Sequence, residues 1–156
     1  MKIGNILSLS VGQTKNAAFN LIKALIADPK LPRILCLYGD FGSGKTTFVK
    51  GIAEGLEIPT KRVKSPTFVL MNIYKGRRGV KLCHFDCYRA QAGEELTADL
   101  EEVFENSKVF VVIEWADRVK EILPKKRLDI FFNHSHRKPR IIEEGKRKIT
   151  VKLIRR

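Results

Sequence analysis

The residues Gly39-Asp40-Phe41-Gly42-Ser43-Gly44-Lys45-Thr46 spell G-x-x-x-x-G-K-[ST], a spacing whose chemistry is the enclosure of linked phosphates. Backbone N–H groups in such a turn point inward at the anion, and the helix that starts there adds the partial positive charge of its N-terminus. Glycine at 39, 42 and 44 frees the main chain to curl and to approach phosphate oxygens closely. Lys45 is expected to reach the terminal phosphates and the Thr46 hydroxyl to ligate magnesium. Ser43 and Thr47 are bystanders or secondary phosphate contacts. The plain alternative is an ordinary glycine-rich turn, and placement argues against it. The motif follows Ile34-Leu35-Cys36-Leu37-Tyr38, a short apolar run of buried-strand type, and precedes Phe48, Val49, Ile52, Ala53 and Leu56 at helical spacing.

A magnesium–nucleotide site also needs an acid at the end of a neighbouring strand. Glu114 closes the apolar run Val109 to Ile113, and Asp86 closes the strand that starts at Val80. One would serve the metal and the other the attacking water. The more apolar, hence more central, strand favours Glu114 for the metal; for each acid the alternative is a surface carboxylate at a strand end. Ser65-Pro66-Thr67-Phe68 follows a basic stretch, and Thr67 is placed either against the terminal phosphate or magnesium, as in a switch segment, or in a plain proline turn. Trp115 is either a core or interface residue or a ligand contact. Cys83, His84 and Cys87 invite a zinc reading. On a strand, however, the two thiols sit roughly 13 Å apart on one face while the imidazole points to the other, so they are expected to be buried apolar thiols.

The elements that must hold these groups follow the hydrophobic periods. Ala17, Ala18, Leu21, Ile22, Leu25 and Ile26 predict an amphipathic helix capped at Ser10 or Thr14 and ended by Asp28-Pro29. Glu57-Ile58-Pro59 stops the helix that follows the glycine turn. Residues 68–74 and 80–86 flank Lys75-Gly76-Arg77-Arg78-Gly79 as an antiparallel hairpin. A helix is predicted over Glu94 to Phe104, a strand over Lys108 to Ile113, and a short helix over Asp117 to Leu123. Leu128 to Asn133 and Lys148 to Ile154 alternate as strands around a charged loop. The expected fold is α/β: one P-loop NTPase domain over residues 1–156, with a mostly parallel central sheet flanked by helices and antiparallel additions that include a C-terminal hairpin.

Composition agrees with a folded domain, at 44% hydrophobic and 30% charged residues. No apolar run approaches the about 20 residues of a bilayer span, the first fifteen residues lack the apolar stretch of a secretory signal, and three cysteines, an odd number, argue against a disulfide framework. A cytoplasmic protein is expected. The net charge of +13 is uneven: residues 137–156 hold nine Lys or Arg against two acids. Such a segment is either a solvated surface or a salt-sensitive attraction for polyanions such as tRNA.

Four blocks together resemble the bacterial TsaE (YjeE) ATPases of tRNA threonylcarbamoyladenosine modification. They are the glycine turn with Thr47-Phe48, Ser65-Pro66-Thr67-Phe68, His84-Phe85-Asp86-Cys87-Tyr88-Arg89 as an H-x-D-x-Y-R block, and Ile113-Glu114-Trp115 as an E-W block. The resemblance spans about residues 10 to 133. It implies an ATP-hydrolysing subunit, weak alone, that binds the TsaB and TsaD proteins while transfer occurs on TsaD. It implies magnesium held through Thr46 and Glu114, hydrolysis that depends on Asp86, and Thr14 near the base. Ala116 departs from a proline common after E-W, and the region of Ala98-Asp99 lacks a commonly seen glycine. A small-molecule kinase and a nucleotide-gated binding module remain as rivals.

Overall fold

The computed structural model describes residues 2–66, 71–89, 94–134 and 147–155. In chain order its regular elements are β1 (Lys2–Ser8), α1 (Val11–Ala27), β2 (Ile34–Tyr38), α2 (Lys45–Gly55), β3 (Met71–Lys75), β4 (Lys81–Asp86), α3 (Glu94–Glu105), β5 (Val109–Glu114), β6 (Lys126–His134) and β7 (Arg147–Arg155). The seven strands form one sheet in the order β1-β7-β6-β2-β5-β4-β3. Neighbours among β6, β2, β5 and β4 run parallel, while β3 pairs antiparallel with β4, and β7 with both β6 and β1. The fold is therefore a mixed α/β sheet.

Strands β2 and β5 are buried along almost their whole length, because helices cover both faces and no polar alternation is needed. On one face Leu35, Leu37, Phe110, Val112 and Leu128 pack in one cluster with Ile22 of α1 and Phe48 and Ile52 of α2. On the other, Cys36, Cys83, Phe85, Val111 and Ile113 pack with Leu100 of α3. Burial pushes the Cys87 thiol up to about 12 and the Cys36 thiol higher still, so both are neutral core groups near neutral pH. Cys83 and Cys87 share this core while His84 lies on the opposite face, so the three do not converge.

Three boundaries differ from the sequence expectation. Strand β1 had no alternating pattern to announce it, since Gly4, Asn5 and Ser8 interrupt its apolar residues; its pairing with β7 makes it a strand. Strand β3 is described from Met71, and residues 68–70 of the expected strand lie outside the described residues. The stretch Ala116–Ile122 is 3-10 helix broken at Val119, where a single short helix was expected. Ser10 caps α1 by accepting from the Gln13 amide, and Asp28 ends it. No helix among the described residues is long and apolar enough to cross a membrane.

Helices α1 and α2 touch closely enough to exclude a side chain. A Cβ at Gly51 would lie 2.4 Å from the Lys15 carbonyl oxygen and 2.8 Å from the Ala18 Cβ. Gly51→Ala is therefore expected to destabilise the chain by about 1–3 kcal/mol through overpacking, despite the better helix propensity of alanine. An unchanged urea midpoint would mean that the two helices separate at little cost.

Candidate active site

The turn between β2 and α2 lies where four parallel strands end. Gly42 and Gly44 adopt φ of 71° and 99°, a left-handed region that costs other residues free energy. At Gly39 a Cβ would come within 2.9 Å of both the Phe132 carbonyl oxygen and the Ser43 hydroxyl. The turn thus needs glycine at 42 and 44 for conformation and at 39 for space. It borders an open cavity of about 250 Å³ walled by residues 41–47, by Asp86 and Tyr88 at and beyond the end of β4, by Glu114 and Trp115 at and beyond the end of β5, and by Ser65.

Sheet register brings the acids to the turn. Leu37 lies beside Glu114 and Asp86 beside Glu114 in adjacent strands, so both carboxylates reach the same end of the sheet on one face. The Thr46 hydroxyl is 3.2 and 3.3 Å from the two oxygens of Glu114. The Ser65 hydroxyl donates to Oδ2 of Asp86 at 2.6 Å, and the Tyr88 amide donates to Oδ1 at 3.0 Å. Glu114 and Asp86 are 2% and 6% exposed, which makes them buried carboxylates rather than surface ones.

Lys45 is buried too. Its Nζ donates to the carbonyls of Gly39 and Asp40 and lies 4.0 Å from the centroid of the Trp115 ring. Burial lowers its pKa below the ordinary lysine value, while the carboxylates of Glu114, Asp86, Asp40 and Asp117 act in the opposite direction. Trp115 takes φ 57°, a strained conformation for a residue with a side chain. Its ring meets Phe41 and Tyr88 at centroid distances of 4.8 and 5.0 Å, and those two meet each other at 4.5 Å. An aromatic lip therefore borders the cavity beside the lysine.

These residues fit a magnesium-bound polyphosphate. The Ser43 hydroxyl is buried at the turn and has no hydrogen-bond partner among the described residues, a cost that a phosphate oxygen would relieve. A hydroxyl and carboxylates are the hard oxygen donors magnesium prefers, and one or two carboxylates suffice when phosphates and water complete the shell. The cavity is smaller than the ~300–1,000 Å³ of pockets that engulf drug-sized ligands. It suits the phosphate end of a nucleotide, with the base outside it.

Among the sequence candidates, residues 41–47, Asp86 and Glu114 meet at the cavity, while Gly39 and Asp40 contribute carbonyls to Lys45. Thr14 is not in the cavity wall; it is fully buried, and its hydroxyl is 2.7 Å from that of Ser8. Thr67 lies outside the described residues, as do positions 137–146 and 156 of the basic segment. Trp115 lines the cavity beside the lysine and also packs against the core cluster of Ile113 and Leu100, so both alternatives have contacts behind them. Sequence reasoning assigned no role to His84, Ser65 or Tyr88. For His84 the signal was present, since positions 84 and 86 of one strand share a face.

The family model described as "Threonylcarbamoyl adenosine biosynthesis protein TsaE" matches residues 10–142. The chain is 44% identical over 111 residues, 70% of this chain and 67% of the other, to the tRNA threonylcarbamoyladenosine biosynthesis protein TsaE of Bacillus subtilis strain 168. It is 31% identical over 140 residues to the protein of the same name from Aquifex aeolicus, covering 89% of this chain and 91% of that one. The crystal structure of Bacillus subtilis YdiB is similar with a TM-score of 0.73 at 31% identity, covering 99% of this chain and 88% of that one.

Proposed function

The chain belongs to the TsaE family, and we propose that it is the cytoplasmic ATP-hydrolysing subunit of tRNA threonylcarbamoyladenosine formation, acting with TsaB and TsaD. The observation that carries this reading is the convergence of Lys45, Thr46, Glu114 and Asp86 on one glycine-lined cavity at the ends of parallel strands. As a P-loop NTPase it would hold the triphosphate with the amides of residues 42–47 and the Lys45 ammonium. Thr46 and Glu114 would hold magnesium, whose charge offsets that developing on the phosphates. Asp86 is left to orient the attacking water and accept its proton at Oδ2, once that oxygen parts from the Ser65 hydroxyl.

The Ser65–Asp86 bond supports low intrinsic turnover, because the expected base is engaged by the segment that leads into Thr67. Slow ATP hydrolysis by the purified chain is expected, rising when TsaB and TsaD are added. Turnover indifferent to those proteins would remove the main support. Phosphorylation of a metabolite would identify a kinase instead, and binding without turnover under every condition a nucleotide-gated module.

A further inference from the structure

Glu114 is held from two sides, and only one of them belongs to the glycine turn. On the other side stands His84, fully buried on β4, with Nε2 2.8 Å from Oε1 of Glu114. A carboxylate oxygen only accepts, so Nε2 carries the hydrogen and donates it. The second ring nitrogen, Nδ1, has no hydrogen-bond partner among the described residues. Left as a bare lone pair it costs less than a buried N–H without an acceptor would. The imidazole thus spends its one donor on Glu114.

A glutamate at the end of a strand has rotamers to choose among, and a metal ligand must offer one oxygen in one direction. We infer that His84 is the positioning residue of this site: its Nε2–H pins Oε1 of Glu114, so that Oε2 and the Thr46 hydroxyl face the divalent cation together. The inference rests on the magnesium–nucleotide reading given above. Sheet register fixes the arrangement, since His84 lies beside Val112 and Asp86 beside Glu114, placing the imidazole one pleat behind the carboxylate it orients.

Outer-shell partners of this kind are worth about 10–100-fold in metal affinity. The test is the affinity for an ATP analogue titrated with magnesium and in EDTA. His84→Leu is expected to need ~10–100-fold more magnesium to reach the tight-binding state, with metal-free affinity unchanged. His84→Gln, whose amide nitrogen reaches a similar place, is expected to recover most of the difference. In the wild-type chain, imidazole nitrogen resonances should place the proton on Nε2, and they should move when magnesium joins the nucleotide. Wild-type magnesium dependence in His84→Leu, an equal loss in both variants, or a proton on Nδ1 would overturn the inference alone. A wild-type chain that bound no magnesium–nucleotide would overturn the site reading and the inference with it.

Discussion

Lys45→Ala is expected to weaken binding of a non-hydrolysable ATP analogue by about 10–100-fold, from the ~1.5–3 kcal/mol of a hydrogen bond to a charged group, and to lower turnover by a further ~10²–10³-fold. Lys45 is 5% exposed and its ammonium is bound to carbonyls of its own turn, so the positive charge is already at the cavity wall before any phosphate arrives. The same burial gives the substitution an unusual signature in the ligand-free chain. A lysine whose folded-state pKa is depressed binds fewer protons folded than unfolded between the two values, so stability rises with pH through that window. The window runs from the depressed value up to the ordinary lysine pKa of about 10.4. Lys45→Ala should flatten that rise and leave the melting temperature of the ligand-free chain near or above that of the wild type at neutral pH. Calorimetric titration and melting curves across alkaline pH check both parts; wild-type analogue affinity in the variant would remove Lys45 from the site.

Asp86→Asn should leave nucleotide affinity within a few-fold and lower partner-stimulated turnover by ~10²–10⁴-fold, the usual contribution of a general base. The substitution is clean because the geometry survives it. The asparagine oxygen still accepts from the Tyr88 amide, and its NH2 group can donate to the Ser65 hydroxyl in place of the present bond. Only the ability to take a proton is removed. Single-turnover hydrolysis with TsaB and TsaD present measures it directly. Undiminished turnover would make Asp86 a strap for the chain between β4 and Tyr88.

The core of the fold was legible because its signals are local. Strand β2 matches the sequence boundaries, β5 and α2 lie within a residue or two of them, and an apolar run or a helical period needs no distant partner to be recognised. Strand β1 needed one: its residues carry no pattern of their own and become a strand through β7. The candidate site divides in the same way. The glycine turn announces itself by spacing, and Asp86 and Glu114 by their place at strand ends. The bond from Thr46 to Glu114, 68 residues away, and the contact of His84 with Glu114 depend on which strands lie side by side. A parallel register is not written in either strand alone. Nor was the direction of Trp115 legible, since it turns on a left-handed backbone that glycine, rather than tryptophan, would announce.

Trp115 is the sole tryptophan of the chain, and the ammonium beside its ring is the group proposed to turn toward arriving phosphate. Indole emission responds to a nearby charge, so the protein has an intrinsic fluorophore at the point where occupancy begins. Filling and emptying could therefore be followed optically, in real time and without a label.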